Sequence, residues 1–175
     1  IEHAQVLDPA DIARLGKFGI IASMQPIHQT SDRQMAEARL GPQRLAGAYA
    51  WKSVLGTGAK LAFGSDTPVE QPDPFPGFSA AISRQDAKGE PFGGWQPQER
   101  LTREEALAAY TSNAAYAGFA EGRFGRLVKG ERADFLLVDT DPLMASPSQI
   151  AQTRVLETWV GGQLVYRREG VPGQQ

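Results

Sequence analysis

Short apolar segments alternate with helical segments over residues 1–66 of this 175-residue chain. Three of them, Ile1–Ala4, Gly19–Pro26 and Lys60–Ser65, have the length and residue types of buried strands. The alternation predicts parallel strands joined by right-handed crossovers, as in an α/β fold. Because the apolar runs are continuous, the predicted sheet is covered on both faces.

Capping residues and glycines predict where the helices begin and end. Asp8 and Pro9 suit the start of a helix after the first strand. A second helical region is predicted from about Asp32 to Gly56, interrupted at Gly41-Pro42. Further along the chain, Thr102-Arg103-Glu104-Glu105 has the pattern of a capping box. The helix that follows is predicted to bury one face, which carries Leu107, Tyr110, Ala114 and Ala117.

The later part of the chain has a different character. Residues 70–98 are rich in proline and glycine around a short predicted helix at Phe78–Gln85, and such a segment is either an active-site covering or a mobile connector. Strands are predicted at Gly125–Val128 and at Ala133–Val138. A hairpin is predicted from Val155 to Arg167, with Gly161-Gly162 as its two-residue turn.

Composition excludes several classes of protein. The formal net charge of −2 favours neither nucleic acid nor an anionic membrane as a partner. The absence of cysteine excludes disulfides, cysteine–zinc sites and a cysteine nucleophile. No apolar run is long enough to cross a bilayer and no signal peptide is visible. A cytoplasmic location is favoured, although the chain begins at Ile1 without a methionine and is interpreted as part of a longer protein.

Two residues at the ends of predicted strands are candidates for chemistry. His3 ends the first strand and Asp66 follows the third. The carboxyl ends of parallel strands meet at one edge of a sheet, and a histidine and an aspartate there are typical of metal-dependent hydrolases.

Six motifs in a fixed order carry a resemblance to a known family. They are Ile1-Glu2-His3-Ala4-Gln5, Ser23-Met24-Gln25-Pro26-Ile27-His28, Phe63-Gly64-Ser65-Asp66-Thr67-Pro68-Val69, Tyr110-Thr111-Ser112-Asn113-Ala114-Ala115, Ala133-Asp134-Phe135 through Asp141-Pro142, and Val160-Gly161-Gly162-Gln163-Leu164-Val165-Tyr166. Together they resemble the C-terminal part of an amidohydrolase superfamily member of the amidohydrolase-3 (YtcJ-like) group. The resemblance covers nearly the whole chain.

The resemblance implies a fold. Residues 1–121 would be part of a TIM-like (β/α)8 barrel, with Ile1–Ala4, Gly19–Pro26 and Lys60–Ser65 as strands 6, 7 and 8 and a long proline- and glycine-rich loop at 70–98. Residues 122–169 would supply the C-terminal strands of a composite β-sandwich. Residues 170–175 are predicted to be a frayed tail.

The resemblance also implies roles. His3 would ligate a divalent metal, and Asp66 would ligate it or take a proton from metal-activated water. Zinc is the expected metal, although iron, manganese and cobalt also suit these ligands. The family's remaining ligands have no counterpart in this chain, whose two histidines are His3 and His28. Because a catalytic zinc usually has three protein ligands, we expect the isolated chain to be inactive and to bind metal poorly or not at all.

Three further residues are candidates for substrate binding. His28 either contacts substrate or lies in an exposed loop, and Arg84 either meets a substrate anion or is a solvated charge on a helix. Trp95 is a pocket candidate in the long loop, whereas Trp51 is expected to pack its helix. Glu2 is expected to point to the opposite side of its strand from His3.

The resulting hypothesis is a fragment of an enzyme that hydrolyses amide or cyclic amide C–N bonds of a small-molecule substrate. The alternatives are a non-catalytic regulatory or binding module of the same fold, and a metal-dependent esterase or lactonase. An open edge of three strands with unpaired backbone groups also predicts association, either with the rest of the barrel or as a homo-oligomer.

Overall fold

The structure, a computed structural model, describes residues 1–170. Residues 171–175, most of the predicted frayed tail, lie outside the described residues. The helices are α1 Pro9–Lys17, α2 Pro26–Leu45, α3 Trp51–Gly56, α4 Pro74–Ser83, a 3₁₀ turn Pro97–Glu99, α5 Arg103–Tyr110, α6 Ser112–Ala117 and α7 Pro147–Ile150. The strands are β1 Ala22–Met24, β2 Leu61–Phe63, β3 Phe135–Val138, β4 Val155–Val160 and β5 Gln163–Arg167.

The N-terminal half is built around two parallel strands and a flanking segment. β1 pairs in parallel with β2, with Ala22 opposite Leu61. On the other side of β1, Glu2 forms a parallel bridge with Ser23, whose amide donates to the carbonyl of Ile1. All three segments therefore run in the same direction, as predicted, and their carboxyl ends meet at one edge.

A close backbone approach brings residues 5–7 against the loop before α3. The amide of Leu7 donates to the carbonyl of Gly47, and the amide of Tyr49 donates to the carbonyl of Gln5. A Cβ atom at Gly47 would lie 1.8 Å from the carbonyl oxygen of Leu7, so only glycine permits this approach. The pairing holds Gln5 beside the first turn of α2.

Two helices begin earlier than predicted, because proline occupies their first positions. α2 begins at Pro26 rather than near Asp32. The backbone N–H at the first position of a helix has no partner within the helix, so proline, which has no N–H, loses nothing there. α4 begins at Pro74 rather than near Phe78, with the side chain of Asp73 accepting from the amide of Phe75. The predicted interruption of α2 is confirmed: Gly41 has φ of 71°.

The predicted helix after Thr102 is divided in two. Its capping box is confirmed, since the side chains of Thr102 and Glu105 each accept from the other's backbone amide. The helix is broken at Thr111, whose hydroxyl donates to the carbonyl of Leu107 at 2.6 Å. Threonine side chains compete with helical backbone bonds in this way. Leu107 is 37% exposed, so the prediction that it lies on the buried face was wrong.

A separate antiparallel sheet, in the order β3-β4-β5, forms the C-terminal unit. The predicted hairpin is confirmed, and Gly161 and Gly162 have the positive φ angles that its turn requires, 60° and 75°. The predicted strand at Gly125–Val128 was wrong. Gly125 has φ of 102°, and Leu127 is 72% exposed in an irregular segment. Among residues 1–170, no helix combines the length and apolarity needed to cross a membrane.

Candidate metal centre

Three potential ligands converge at the carboxyl edge of the N-terminal sheet. They are His3 at the end of the segment beside β1, His28 in the first turn of α2 and Asp66 shortly after β2. One nitrogen or oxygen atom from each lies within 4.8 Å of the other two. His28 Nε2 is 4.0 Å from Asp66 Oδ2. The structure thus brings together three residues that are far apart in the sequence.

Left-handed backbone conformations turn two of these residues toward the centre. φ is 65° at His3, 46° at Ala4 and 58° at Asp66. Residues other than glycine pay of order 1–2 kcal/mol for this conformation, and such outliers cluster at functional sites. The turn at His3 also ends the side-chain alternation of a strand. The side chains of Glu2 and His3 therefore both reach Gln25, and the prediction that they point to opposite sides was wrong.

A hydrogen-bonded relay fixes the orientation of His3. Gln25 Nε2 donates to Glu2 Oε1 at 2.7 Å, and because an ionised carboxylate only accepts, the amide oxygen of Gln25 faces His3. His3 Nδ1 lies 3.0 Å from that oxygen and donates to it. In the neutral imidazole, the other ring nitrogen, Nε2, then carries the lone pair that a metal can bind. Metal-ligating histidines are commonly oriented by such a partner.

Glu2 remains a charged anchor for this relay. Partial burial by itself would raise the pKa of Glu2, but hydrogen bonds from Ser23 and Gln25 outweigh it and lower the pKa. Ser23 Oγ donates to Glu2 Oε1 at 2.9 Å. The carboxylate is therefore ionised at neutral pH and holds the amide of Gln25 in a single orientation.

His28 is buried beside this centre rather than in an exposed loop. Its residue exposure is 6%, and its Nδ1 accepts from Gln5 Nε2 at 2.7 Å. In the neutral imidazole, that bond places the proton on Nε2, which is buried and has no hydrogen-bond partner among residues 1–170. The two imidazoles, whose centroids are 6.1 Å apart, thus present different chemistry: His3 offers a lone pair and His28 offers an N–H.

The donor set suits a divalent transition metal. Histidine nitrogen and carboxylate oxygen bind zinc at about 2.0–2.2 Å, which separates the ligand atoms by about 3.4 Å in a tetrahedral site. The ligand atoms of His3 and Asp66 lie within 4.8 Å of each other, so side-chain rotations of about an ångström would bring both to one ion. His3 Nε2 and Asp66 are the two groups free to ligate. They would leave room for ligands from elsewhere in a longer protein.

A cavity of about 370 Å³ opens beside the cluster. This volume is within the range of small-molecule sites. Its lining consists of His3, Gln5, His28, Ser31, Asp32, Val69 and Glu70. Glu70 begins the proline- and glycine-rich segment and Val69 directly precedes it, so the start of that segment contributes to the lining.

Arg84 and Trp95, the other predicted substrate contacts, lie in the core and do not line this cavity. Arg84 is fully buried, 4.2 Å from the Trp51 ring, and donates to the backbone carbonyls of Tyr49 and Trp95 at 2.8 Å each. Burial lowers the pKa of Arg84 to about 9, so it is charged at pH 7. It is therefore neither a substrate contact here nor a solvated charge. Trp95 Nε1 donates to Glu37 at 2.7 Å.

Sequence reasoning missed the two amides that orient the histidines. Gln5 lies two residues after His3, and Gln25 directly follows β1. Each belongs to one of the six motifs that carry the family resemblance. Their position at the carboxyl edge of the sheet is the one feature of the sequence that indicates a role in the site. Nothing in the spacing indicates that one amide presents its oxygen to a histidine and the other its nitrogen.

Comparison with known proteins gives matches over almost the whole chain. The model of the amidohydrolase family matches residues 1–166. The YtcJ protein of Bacillus subtilis (strain 168), named as an amidohydrolase, is 33% identical over 166 residues, which are 95% of this chain and 31% of that protein. The protein LONG AFTER FAR-RED 3 of Arabidopsis thaliana is 36% identical over 95% of this chain and 28% of its own length.

An enzyme named for its substrate is also similar. The N-substituted formamide deformylase of Arthrobacter pascens is 33% identical over 68% of this chain and 21% of its own length. Among solved structures, an uncharacterized metal-dependent hydrolase from Pyrococcus furiosus matches with a TM-score of 0.69 and 34% identity, over 82% of this chain and 28% of that one. The chain thus spans less than a third of each of these proteins.

Proposed function

The chain belongs to the amidohydrolase family, and on that premise we propose that it is the C-terminal part of an enzyme that hydrolyses C–N bonds of a small-molecule substrate with the help of a divalent metal. The observation that carries the proposal is the convergence of His3, His28 and Asp66 within 4.8 Å. The similarity to a formamide deformylase and to a metal-dependent hydrolase supports it. We expect zinc to be the metal.

Each residue of the cluster has a role that follows from its environment. His3 Nε2 and a carboxylate oxygen of Asp66 would hold the metal, which when bound lowers the pKa of a water ligand towards about 7 and polarises a carbonyl group. Asp66 accepts the proton of the attacking water and returns it to the leaving nitrogen. His28 Nε2–H donates to the carbonyl oxygen of the substrate, where negative charge develops.

The isolated chain is proposed to be inactive. It supplies two metal ligands, His3 and Asp66, whereas a catalytic zinc usually has three from protein. The rest of the barrel would supply the others and close the strand edge beside Glu2. The chain spans 31% of the YtcJ protein, which is consistent with a larger catalytic unit.

The test is hydrolysis by the full-length, zinc-loaded protein of paired N-substituted formamides and formate esters of the same alkyl groups. We expect formate release from the formamides, and a loss of at least about 1,000-fold in kcat with Asp66→Asn, because the proton acceptor is removed. Asp11→Asn, on the exposed surface of α1, is the matched control and retains activity.

Two results would favour the alternative functions. Turnover of the esters alone would indicate an esterase or lactonase, since the same activated water attacks either carbonyl. No turnover of either series, with zinc bound and the protein folded, would contradict hydrolysis of this substrate class. Unchanged activity in Asp66→Asn would contradict the assignment of the site.

A further inference from the structure

The cavity beside the candidate metal centre has an unbalanced charge. Asp32 and Glu70 line it, and none of its lining residues within the described part of the chain is lysine or arginine. Asp66, whose Oδ2 is 4.0 Å from His28 Nε2, adds a third carboxylate next to a residue that lines the cavity. A divalent ion on Asp66 would offset two of these three negative charges, which leaves one carboxylate charge in excess.

Both carboxylates are held in place and each keeps an oxygen free. Asp32 Oδ2 accepts from the hydroxyl of Tyr49 at 2.6 Å, and Glu70 Oε1 accepts from Ser31 Oγ at 2.8 Å. Among residues 1–170, no hydrogen bond is made by Asp32 Oδ1 or Glu70 Oε2. Burial, the hydrogen bond to Asp32 and the charge of Asp32 raise the pKa of Tyr49, so Tyr49 stays a neutral donor.

A second feature of the cavity indicates that a polar ligand occupies it. His28 is 94% buried and lines the cavity, and its Nε2 has no partner within the described residues. A buried polar atom without a partner costs about 1–3 kcal/mol unless a ligand or water satisfies it. The lining of the cavity therefore combines an unsatisfied donor next to the proposed metal ligands with two anchored carboxylates.

We propose that this site takes substrates that carry a cationic group, such as an alkylammonium, beyond the C–N bond to be cleaved, and that Asp32 and Glu70 bind that group. The proposal rests on the proposed function for the position of the scissile bond. His28 donates to the carbonyl oxygen, and the two carboxylates accept from the ammonium hydrogens. Each charge-assisted hydrogen bond adds about tenfold in affinity.

Three formamides of equal chain length test the charge preference. They are N-(4-aminobutyl)formamide, N-pentylformamide and 5-formamidopentanoate, which carry a positive, a neutral and a negative end. Binding to the full-length, zinc-loaded protein is measured by ligand-observed NMR titration, and hydrolysis by formate release. We expect the cationic probe to bind 10- to 100-fold more tightly than the neutral one, and the anionic probe to bind most weakly.

Substitutions that remove charge but keep an acceptor oxygen assign the preference to these two residues. In the double variant Asp32→Asn with Glu70→Gln, the cationic and neutral probes should bind within about threefold of each other. Asp11→Asn, an exposed carboxylate on α1, should leave the preference unchanged. Thermal unfolding is measured to check that each variant is folded.

The outcomes separate this inference from the proposed function. Equal binding of the three probes, or a preference that survives the double substitution, overturns the inference even if all three are hydrolysed. A cationic preference that disappears in the double variant supports it. If none of the probes is hydrolysed while that preference holds, the proposed hydrolysis is contradicted and the charge recognition is not.

Discussion

Replacing Gln25 by methionine should weaken metal binding without changing any ligand. Gln25 is 4% exposed, and its amide links the carboxylate of Glu2 to His3 Nδ1. Methionine has a similar length and fills the same space, but it cannot accept the proton of Nδ1. The ring of His3 would then be free to rotate and to exchange its proton between the two nitrogens.

The expected loss follows from two terms. Losing one partly buried hydrogen bond costs about 1 kcal/mol. Without the hydrogen bond, the side chain of His3 can occupy three χ1 wells and two ring orientations, which makes six states. Fixing one of them on metal binding costs about RT ln 6, or about 1.1 kcal/mol. The sum of about 2 kcal/mol corresponds to a dissociation constant about 30-fold higher. Outer partners of metal ligands typically contribute 10- to 100-fold, so the estimate is of the expected size.

The assay is titration of the metal-free full-length protein with Co²⁺, followed by ligand-field absorption in the presence of a competing chelator. Gln34→Met, the same substitution on the exposed surface of α2, is the matched control. Glu2→Gln provides a second variant: it keeps the side-chain volume but no longer fixes the amide of Gln25, so a smaller loss is expected. A dissociation constant for Gln25→Met within threefold of the unmodified protein would refute the relay.

Two predictions concern stability. Arg84→Ala should lower the free energy of unfolding by about 3–5 kcal/mol, because the carbonyls of Tyr49 and Trp95 lose a charged donor and a core cavity opens; a change below about 1 kcal/mol in urea unfolding would contradict this role. Asp139→Asn should lower Tm at pH 7, since the backbone amide and guanidinium of Arg154 lower the pKa of Asp139 to about 2. A carboxyl with a depressed pKa stabilises above its unfolded pKa of about 3.9 and loses that effect as pH falls. The difference in Tm between the unmodified protein and Asp139→Asn should therefore shrink between pH 4 and pH 2. A difference that stays constant over this range would contradict a stabilising role for the ionised Asp139.

Elements determined by local chemistry were predictable from the sequence. The capping box at Thr102 and the Gly161-Gly162 turn depend on residues that are neighbours along the chain, and both are present. The parallel arrangement of the N-terminal strands also followed from the alternation of elements. The proximity of His3 and Asp66 was predictable for the same reason, because the ends of parallel strands meet at one edge.

Features determined by tertiary contacts were not predictable. Arg84 has the sequence context of a helix end, where a charge is usually solvated, yet it packs between two tryptophan rings. Its burial depends on carbonyls contributed by Tyr49 and Trp95, which are 35 and 11 residues away. No periodicity within a single helix encodes such a partner. The early start of α2 had a local cause, Pro26, but the proline was interpreted as the end of a strand.

The two histidines differ in which ring nitrogen carries the proton, and this difference depends on their hydrogen-bond partners rather than on the residue type. His3 and His28 belong to similar motifs, and each has one ring nitrogen bonded to a glutamine amide. Glu2 fixes the amide of Gln25 with its oxygen towards His3, which leaves His3 Nε2 free for the ligand role that we propose. Gln5 presents its nitrogen to His28, which makes the second residue a donor. In the proposed mechanism, a ligand and a hydrogen-bond donor side by side hold the metal and stabilise the negative charge that develops on the carbonyl oxygen, whereas a second ligand would leave that oxygen without this donor. The two roles therefore depend on the amides of Gln25 and Gln5, and Glu2 fixes the first of them.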